Sequence, residues 1–440
     1  MAVFTYREGK SEREAARMII RQKYLDRLIA YQDTDLVKVV TGIRRCGKST
    51  LLDMMRDHLA RQGVPESRLL TFRMESMELS GIADYRELYD LVMRRIGDQP
   101  RVHLFFDEPQ SVEGWERAVN ALRVDADCDI YVTGSNAFLL SSELATLISG
   151  RYVEVAMQPL TFAEYLDFRG AEWQPAGKAG SDIARLPDGS FATLSSLLAQ
   201  YRTFGGFPYL ALREPDEESH RDYMRGIHQT IIVRDIMARA QRKGVRAVSS
   251  RDVLERICAF LADNIGNETS ANKVSGTLRA DGRSTNRDTA EFYMSTLAEA
   301  YLFRRARRYD IKGREPLKTG GKYYIADTGL RSYLDGYRNT DSGRVLENIV
   351  HNQLVFDGYD VMVGHLRGGE VDFVATKPRR RIYVQVTEDM SDGETMEREL
   401  APLRRIGDEY RKIVVVARGD YPSDVDGIEI VSAVDFLLHR

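Results

Sequence analysis

Residues 42–49 read Gly-Ile-Arg-Arg-Cys-Gly-Lys-Ser, a G-x-x-x-x-G-K-[ST] segment with every fixed position filled. An apolar run, 36–41, precedes it, and Leu51-Leu52-Asp53-Met54-Met55 opens a helix after it. That order commits the chain to a strand, a tight glycine loop and a helix in succession. The glycines let the loop turn its backbone N–H groups inward around phosphate oxygens. The helix N-terminus adds a partial positive charge at the same place. Lys48 then reaches the β- and γ-phosphates, and the Ser49 hydroxyl is placed to ligate Mg²⁺. The candidate nucleotide-binding set is Gly42, Arg44, Arg45, Cys46, Gly47, Lys48, Ser49 and Thr50. Cys46 is read as a small residue suited to a crowded turn, in preference to a redox switch. For Arg44 and Arg45, contact with nucleotide and a solvated or partner-facing role both stay open.

A second apolar strand, 102–106, ends in Asp107 and Glu108. An acid at such a strand end supports Mg²⁺, which assigns Asp107 to the metal. The next acid polarises the attacking water, which assigns Glu108 as general base. Alone, these acids would read as a strand followed by a capping residue; the glycine loop some sixty residues earlier favours the catalytic reading. A third strand, 130–133, runs into Gly134, Ser135 and Asn136. Ser135 and Asn136 are candidates for a polar group beside the γ-phosphate, Asn136 preferred for its amide; a helix N-cap suits both equally. Arg151 is a candidate for stabilising charge on the transferred phosphoryl group, with a surface ion pair as the alternative.

Strands separated by helical stretches indicate an α/β fold with a parallel sheet. A helix is expected over 12–32, a strand over 71–74, and the end of the first domain near 165–169. Residues 170–200, rich in Gly, Ala, Pro and Asp, read as a loop or linker. The next hundred residues are mainly helical, with helices over 223–242 and 251–264. A last segment alternates again, with a helix over 344–357 and strands over 359–363, 370–376, 381–387 and 412–417. At 440 residues the chain exceeds one ordinary core. The expected division is 1–169, 170–340 and 341–440.

These segments together resemble the prokaryotic AAA-type P-loop ATPases. The resemblance rests on residues 42–52, Phe105-Phe106-Asp107-Glu108-Pro109-Gln110, Thr133-Gly134-Ser135-Asn136, Ser149-Gly150-Arg151-Tyr152 and Pro159-Leu160-Thr161-Phe162. Residues 201–208, with Phe204-Gly205-Gly206-Phe207-Pro208, and Gly369-Glu370-Val371-Asp372-Phe373 are similar to the subgroup with a C-terminal domain of unknown function. The resemblance covers nearly the whole chain. It implies an AAA-like core, a helical and winged-helix middle and a small α/β nuclease-like end.

In the middle segment, residues 268–274 and 283–289 fit two short helices joined by a Gly-containing turn, the second running on through Tyr293, Leu297 and Ala300. A basic stretch follows: Arg304, Arg305, Arg307, Arg308, Lys312, Arg314, Lys318 and Lys322. Two helices and a basic wing make a DNA-reading arrangement. Winged helices also serve as protein–protein modules and ATPase lids, so duplex DNA and a protein both remain open as partners. With a net charge of −3, any DNA contact is a local patch. The last segment resembles the PD-(D/E)xK nuclease core, with Glu347, Glu370 and Asp372 as acids. Where that pattern has Glu-x-Lys, this chain has Gln385-Val386-Thr387. An amide is a poorer ligand than a carboxylate for a hard cation, so a catalytically degenerate fold is expected. The basic turn at 377–381 reads as an exposed hairpin tip.

The three cysteines, Cys46, Cys128 and Cys258, form no CxxC pair, which suits a reducing cytoplasm. No signal-like N-terminus and no run of about 18 apolar residues is present, so no membrane role is expected. The expected activity is Mg²⁺-dependent ATP hydrolysis that drives rearrangement of the later domains. A nucleotide-gated binding switch with negligible turnover and an ATP-regulated nuclease are the alternatives. The sequence sets no oligomeric state.

Overall fold

The computed structural model describes residues 19–136, 148, 150–174, 182–237, 250–283, 285–317, 320–337 and 341–440. Contacts gather the chain into two compact units. The described residues between 19 and 157 make the first, apart from 42–46 and 135–136, which group with 158–440 in the second.

In the first unit the elements alternate: α1 (Gln22–Ile29), β1 (Val37–Gly42), α2 (Lys48–Arg61), β2 (Leu69–Arg73), α3 (Tyr85–Ile96), β3 (Val102–Asp107), α4 (Trp115–Asp125), β4 (Cys128–Gly134) and β5 (Tyr152–Met157). The sheet order is β2-β3-β4-β1-β5, with β2/β3, β3/β4 and β4/β1 parallel. Every residue of β1 is buried, as the apolar run over 36–41 demands. Val39, Phe72, Leu104, Phe106 and Val132 form the sheet's part of one core, against Leu88 and Val92 of α3 and Val119 and Leu122 of α4. The helix expected over 12–32 is present as Gln22–Ile29, and its residues before 19 lie outside the described part.

Sheet strands also bury charge. At the N-terminal edge, Lys38 of β1 and Asp129 of β4 are both fully buried and ion-paired. Asp129 also accepts hydrogen bonds from the Tyr131 hydroxyl at 2.7 Å and the Asp33 N–H at 2.9 Å. His103 Nδ1 lies 3.6 Å from the same carboxylate. Asp33, His103 and Asp129 are close enough to hold a metal ion. The Lys38 ammonium already neutralises Asp129 there, so the group reads as a buried ion-pair network and not a metal centre.

The second unit begins with α5 (Phe162–Phe168), whose N-terminus carries a reciprocal capping box between Thr161 and Glu164. Helices α6 (Leu194–Phe204), α7 (Glu217–Thr230), α8 (Arg251–Asp263), α9 (Ala271–Ala280) and α10 (Arg287–Glu299) follow, with a π-helical turn over Ile231–Met237 after α7. Strand β6 (Phe303–Ala306) then pairs antiparallel with β8 (Lys322–Ile325), and β7 (Arg308–Asp310) lies between them in sequence. After α11 (Thr328–Asp335) and α12 (Ser342–Phe356) come β9 (Asp360–Leu366), β10 (Gly369–Lys377), β11 (Arg380–Asp389), α13 (Gly393–Arg404), β12 (Arg411–Arg418), β13 (Ile428–Ser432) and α14 (Ala433–Leu437).

These last strands build an eight-stranded mixed sheet. Its central order is β7-β9-β10-β11-β12-β13, with the two-residue strands Glu315–Pro316 and Asp424–Val425 at its edges. Strand β7 joins it by parallel pairing with β9, so the sheet draws on sequence more than fifty residues upstream of its main run. Helix α12 covers one face through Leu346, Ile349, Val350 and Leu354. Leu400 and Leu403 of α13 pack on the other.

Candidate functional site

Parallel pairing puts the C-terminal ends of β1, β3 and β4 at one edge of the first sheet, where ligands of open α/β sheets are held. Strand β1 ends at Gly42 and α2 begins at Lys48, so the loop between them is only five residues long. Gly47, the residue before α2, has φ 105°, a conformation that a side chain would strain. Arg45 takes the left-handed region without being glycine, at φ 64°.

Lys48 is buried, and its Nζ lies 3.8 Å from Glu108 Oε1. Ser49 Oγ donates to Asp107 Oδ1 at 2.8 Å. The structure thus gathers all four residues expected to carry the chemistry. Glu108 adopts φ 55°, and this left-handed kink turns the chain sharply just after β3. Its N–H donates to Thr133 Oγ1 at 3.0 Å, and its carboxylate accepts from Gln110 Nε2.

Thr133 was missed in the sequence. Its hydroxyl donates to Asp107 Oδ1 at 2.6 Å while accepting from the Glu108 N–H, so one buried side chain of β4 holds the Asp107 carboxylate and the backbone of Glu108 after it. Its sequence signals were a hydroxyl at the end of a strand next to the acidic one and its place at the head of Thr133-Gly134-Ser135-Asn136. Ser135 and Asn136 follow β4 directly and are buried. Arg151 is exposed just before β5, where its carbonyl accepts from the Val37 N–H at 3.0 Å. Cys46 is fully buried, as a small residue in a crowded turn should be, and Thr50 is exposed on the first turn of α2. Arg44 pairs with Asp235 at 3.1 Å, and the Arg45 guanidinium lies 5.0 Å from the centre of the Tyr223 ring. Both arginines therefore have partners within the protein.

Ser49 Oγ and Asp107 Oδ1 converge as two hard oxygen donors, a set that suits Mg²⁺ completed by water and phosphate oxygens. The loop and helix N-terminus supply the phosphate side of the site. The residues present therefore fit both ATP and Mg²⁺.

A second polar cluster lies in the C-terminal part. Glu347 of α12 and Glu370 and Asp372 of β10 converge there, but the cation among them is Lys322. The sequence reads Lys322 as part of a basic wing; the structure leaves it only 6% exposed. Gln385 accepts from the Asp372 N–H at 3.3 Å and donates to Glu399 at 2.9 Å, and Thr387 donates to the Asp389 carbonyl. In the rest of the basic stretch, Arg304 donates to Gln158, and Arg308 pairs with Glu268 at 3.0 Å. Arg305, Arg307, Lys312 and Arg314 are exposed, and Lys318 lies outside the described residues.

Residues 34–166 match an AAA domain, and residues 195–341 match a domain of unknown function (DUF8612). An uncharacterized protein of Haemophilus influenzae is 38% identical over 422 residues, covering 96% of this chain and 99% of that one. An uncharacterized protein of Methanocaldococcus jannaschii is 28% identical over 361 residues, 81% of this chain and 75% of that one. Among solved structures, the Aeropyrum pernix ORC1 protein in complex with DNA is 12% identical, over 73% of this chain and 94% of that chain, at a TM-score of 0.33. Among the described residues no helix is long and apolar enough to cross a membrane. A relative matched along nearly its whole length places this chain in the family of the Haemophilus influenzae protein, with a match to an AAA domain over the residues that hold the phosphate loop and both acids.

Proposed function

We propose that the protein binds and hydrolyses Mg²⁺-ATP and couples its nucleotide state to the binding of duplex DNA or a protein partner. The observation that carries this reading is the group at one sheet edge: Lys48 beside Glu108, and Ser49 bonded to Asp107. Lys48 binds the phosphates, Ser49 and Asp107 hold the metal, and Glu108 takes the proton of the attacking water. A metal held by Ser49 and Asp107 would supply charge neutralisation for the phosphate oxygens. Asn136 and Arg151 belong to this reading as polar and cationic candidates for the γ-phosphate. So does the division of the later chain into a helical and winged-helix region, 170–340, and a nuclease-like domain, 341–440.

Replacing Lys48 with alanine is expected to lower phosphate release by about 10²–10³-fold, the scale for losing one positioned charge donor at a transition state. Wild-type turnover in the variant would end the assignment. Turnover measured with and without duplex DNA then separates the readings. Stimulation by DNA supports a DNA-associated machine, whereas tight ATP binding without turnover supports a nucleotide-gated switch.

Helices α9 and α10 followed by the β6/β8 hairpin support the winged-helix reading. Since several of the basic residues have partners in the chain, the contact falls to Arg307, Lys312 and Arg314. Changing these three to alanine is expected to weaken duplex binding alike for all sequences. It is also expected to flatten the dependence of log Kd on log salt by up to about three ion equivalents. Fluorescence anisotropy across a salt series measures both, and an unchanged slope assigns this face to a protein partner.

A further inference from the structure

Strand β8 enters the second unit's interior through two glycines. A Cβ on Gly320 would lie 2.5 Å from Glu268 Oε1, and one on Gly321 would lie 2.7 Å from the Ala306 carbonyl oxygen. Gly321 moreover has φ 148°. At Gly321 only a residue without a side chain runs this close to β6, and Lys322 is the next residue. The approach aims its long side chain away from water and into a cluster of acids.

Lys322 Nζ lies 2.6 Å from Glu370 Oε1, 3.0 Å from Glu347 Oε1 and 3.6 Å from Asp372 Oδ1. Two of the acids are also held from another side. The Tyr324 hydroxyl donates to Glu347 at 2.6 Å, and the Val386 N–H donates to Asp372 Oδ2 at 2.9 Å. Burial works against the charge on Lys322, yet Glu347, Asp372 and Glu370 outweigh it and hold the ammonium above its ordinary range. Burial and the charge of Glu347 push Asp372 well above the usual carboxylate range, against the pull of Lys322. The Glu370 side chain is 40% exposed, so the cluster has a path to solvent and to ions.

Three carboxyl groups from a helix and a neighbouring strand, open on one side, are a donor set for a hard divalent cation. An ammonium seated among them supplies positive charge at the same point. It differs in carrying protons and no vacant coordination position, so it neither binds water as a ligand nor sharpens it as a nucleophile.

We propose that Lys322 is the resident cation of this centre, occupying the position a divalent ion would take and pinning β8 to the C-terminal sheet. On this reading the acids are kept for their grip on the lysine. The missing Glu-x-Lys at 385–387 then costs the protein nothing.

The test uses the full-length, nucleotide-free protein and Mn²⁺ as the probe, with free Mn²⁺ counted by electron paramagnetic resonance. Any ion at Ser49 and Asp107 is common to all variants and cancels. Wild type and Asp372→Asn are expected to bind the same amount. Lys322→Met, close in shape but uncharged, is expected to gain roughly one ion per chain, which Lys322→Met/Asp372→Asn loses again. Loss of one ion from wild type on Asp372→Asn overturns the proposal, as does a folded Lys322→Met protein that gains none. If circular dichroism shows Lys322→Met unfolded, the wild-type and Asp372→Asn pair decides alone. Mg²⁺-dependent nicking of supercoiled plasmid by wild type, abolished in Asp372→Asn, would overturn it equally.

Discussion

Glu108→Gln is expected to slow phosphate release by about 10²–10⁴-fold while ATP binding persists. The amide keeps the size of the carboxylate and its acceptor oxygen for Gln110, so the turn after β3 has no reason to move. The Glu108 backbone stays held by Thr133. What disappears is a group able to take a proton from water. The phosphate side, built from the loop, Lys48 and the start of α2, is left as it was. Lys48→Ala should damage binding and turnover together, whereas Glu108→Gln should separate them. Isothermal titration of ATP beside steady-state phosphate release makes the comparison. A glutamine variant that hydrolyses ATP at the wild-type rate removes Glu108 from the mechanism.

Asp129→Ala is expected to cost about 3–5 kcal/mol of stability, because it leaves the fully buried Lys38 ammonium without its counter-charge. The Tyr131 hydroxyl and the Asp33 N–H lose an acceptor in the same step. The pair also has a pH signature. Burial raises the Asp129 pKa, but the nearby His103 ring and the charge and hydrogen bond of Lys38 outweigh it and bring the carboxyl down to about 2. Burial outweighs Asp129 at Lys38, whose pKa falls, so the favourable shift resides on the acid and must not be counted on both partners. A carboxyl with a depressed folded-state pKa stabilises the fold above its unfolded value, near 4, and loses that contribution as pH falls through the folded value. Wild type should therefore lose about 2–3 kcal/mol between about pH 5 and pH 1 from this group, and Asp129→Asn should lack that segment of the curve. Urea titrations across that range measure it. Identical acid limbs in the two proteins would contradict the assignment.

Much of the nucleotide site was legible because its parts are local. A glycine loop, the strand before it and the helix after it are neighbours in sequence, and Asp107–Glu108 ends its own strand. Thr133 was not, since its role depends on which strand lies beside β3. Lys322 shows the same limit more sharply. Read along the chain it was one more cation in a basic run, and only the passage of β8 between β6 and the acids buries it. Glu347, Glu370 and Asp372 were identified as a set without the residue that holds them together. The departures at Gln385 and Thr387 were visible as gaps, but a one-dimensional pattern does not show what fills them.

The two sheets also differ in when they become possible. All five strands of the first lie between Val37 and Met157, whereas the second needs β7, at Arg308–Asp310, and β13, which ends at Ser432. At about 5–20 residues per second, a ribosome needs roughly 15 to 55 s to go from residue 157 to residue 432. During that interval the nascent protein can carry a finished phosphate-binding edge, while β7 and β9, once made, still wait for the later strands that complete their sheet. Its most exposed moment, to proteases and to aggregation, is therefore the last stretch of synthesis, and slow translation before residue 432 would prolong it.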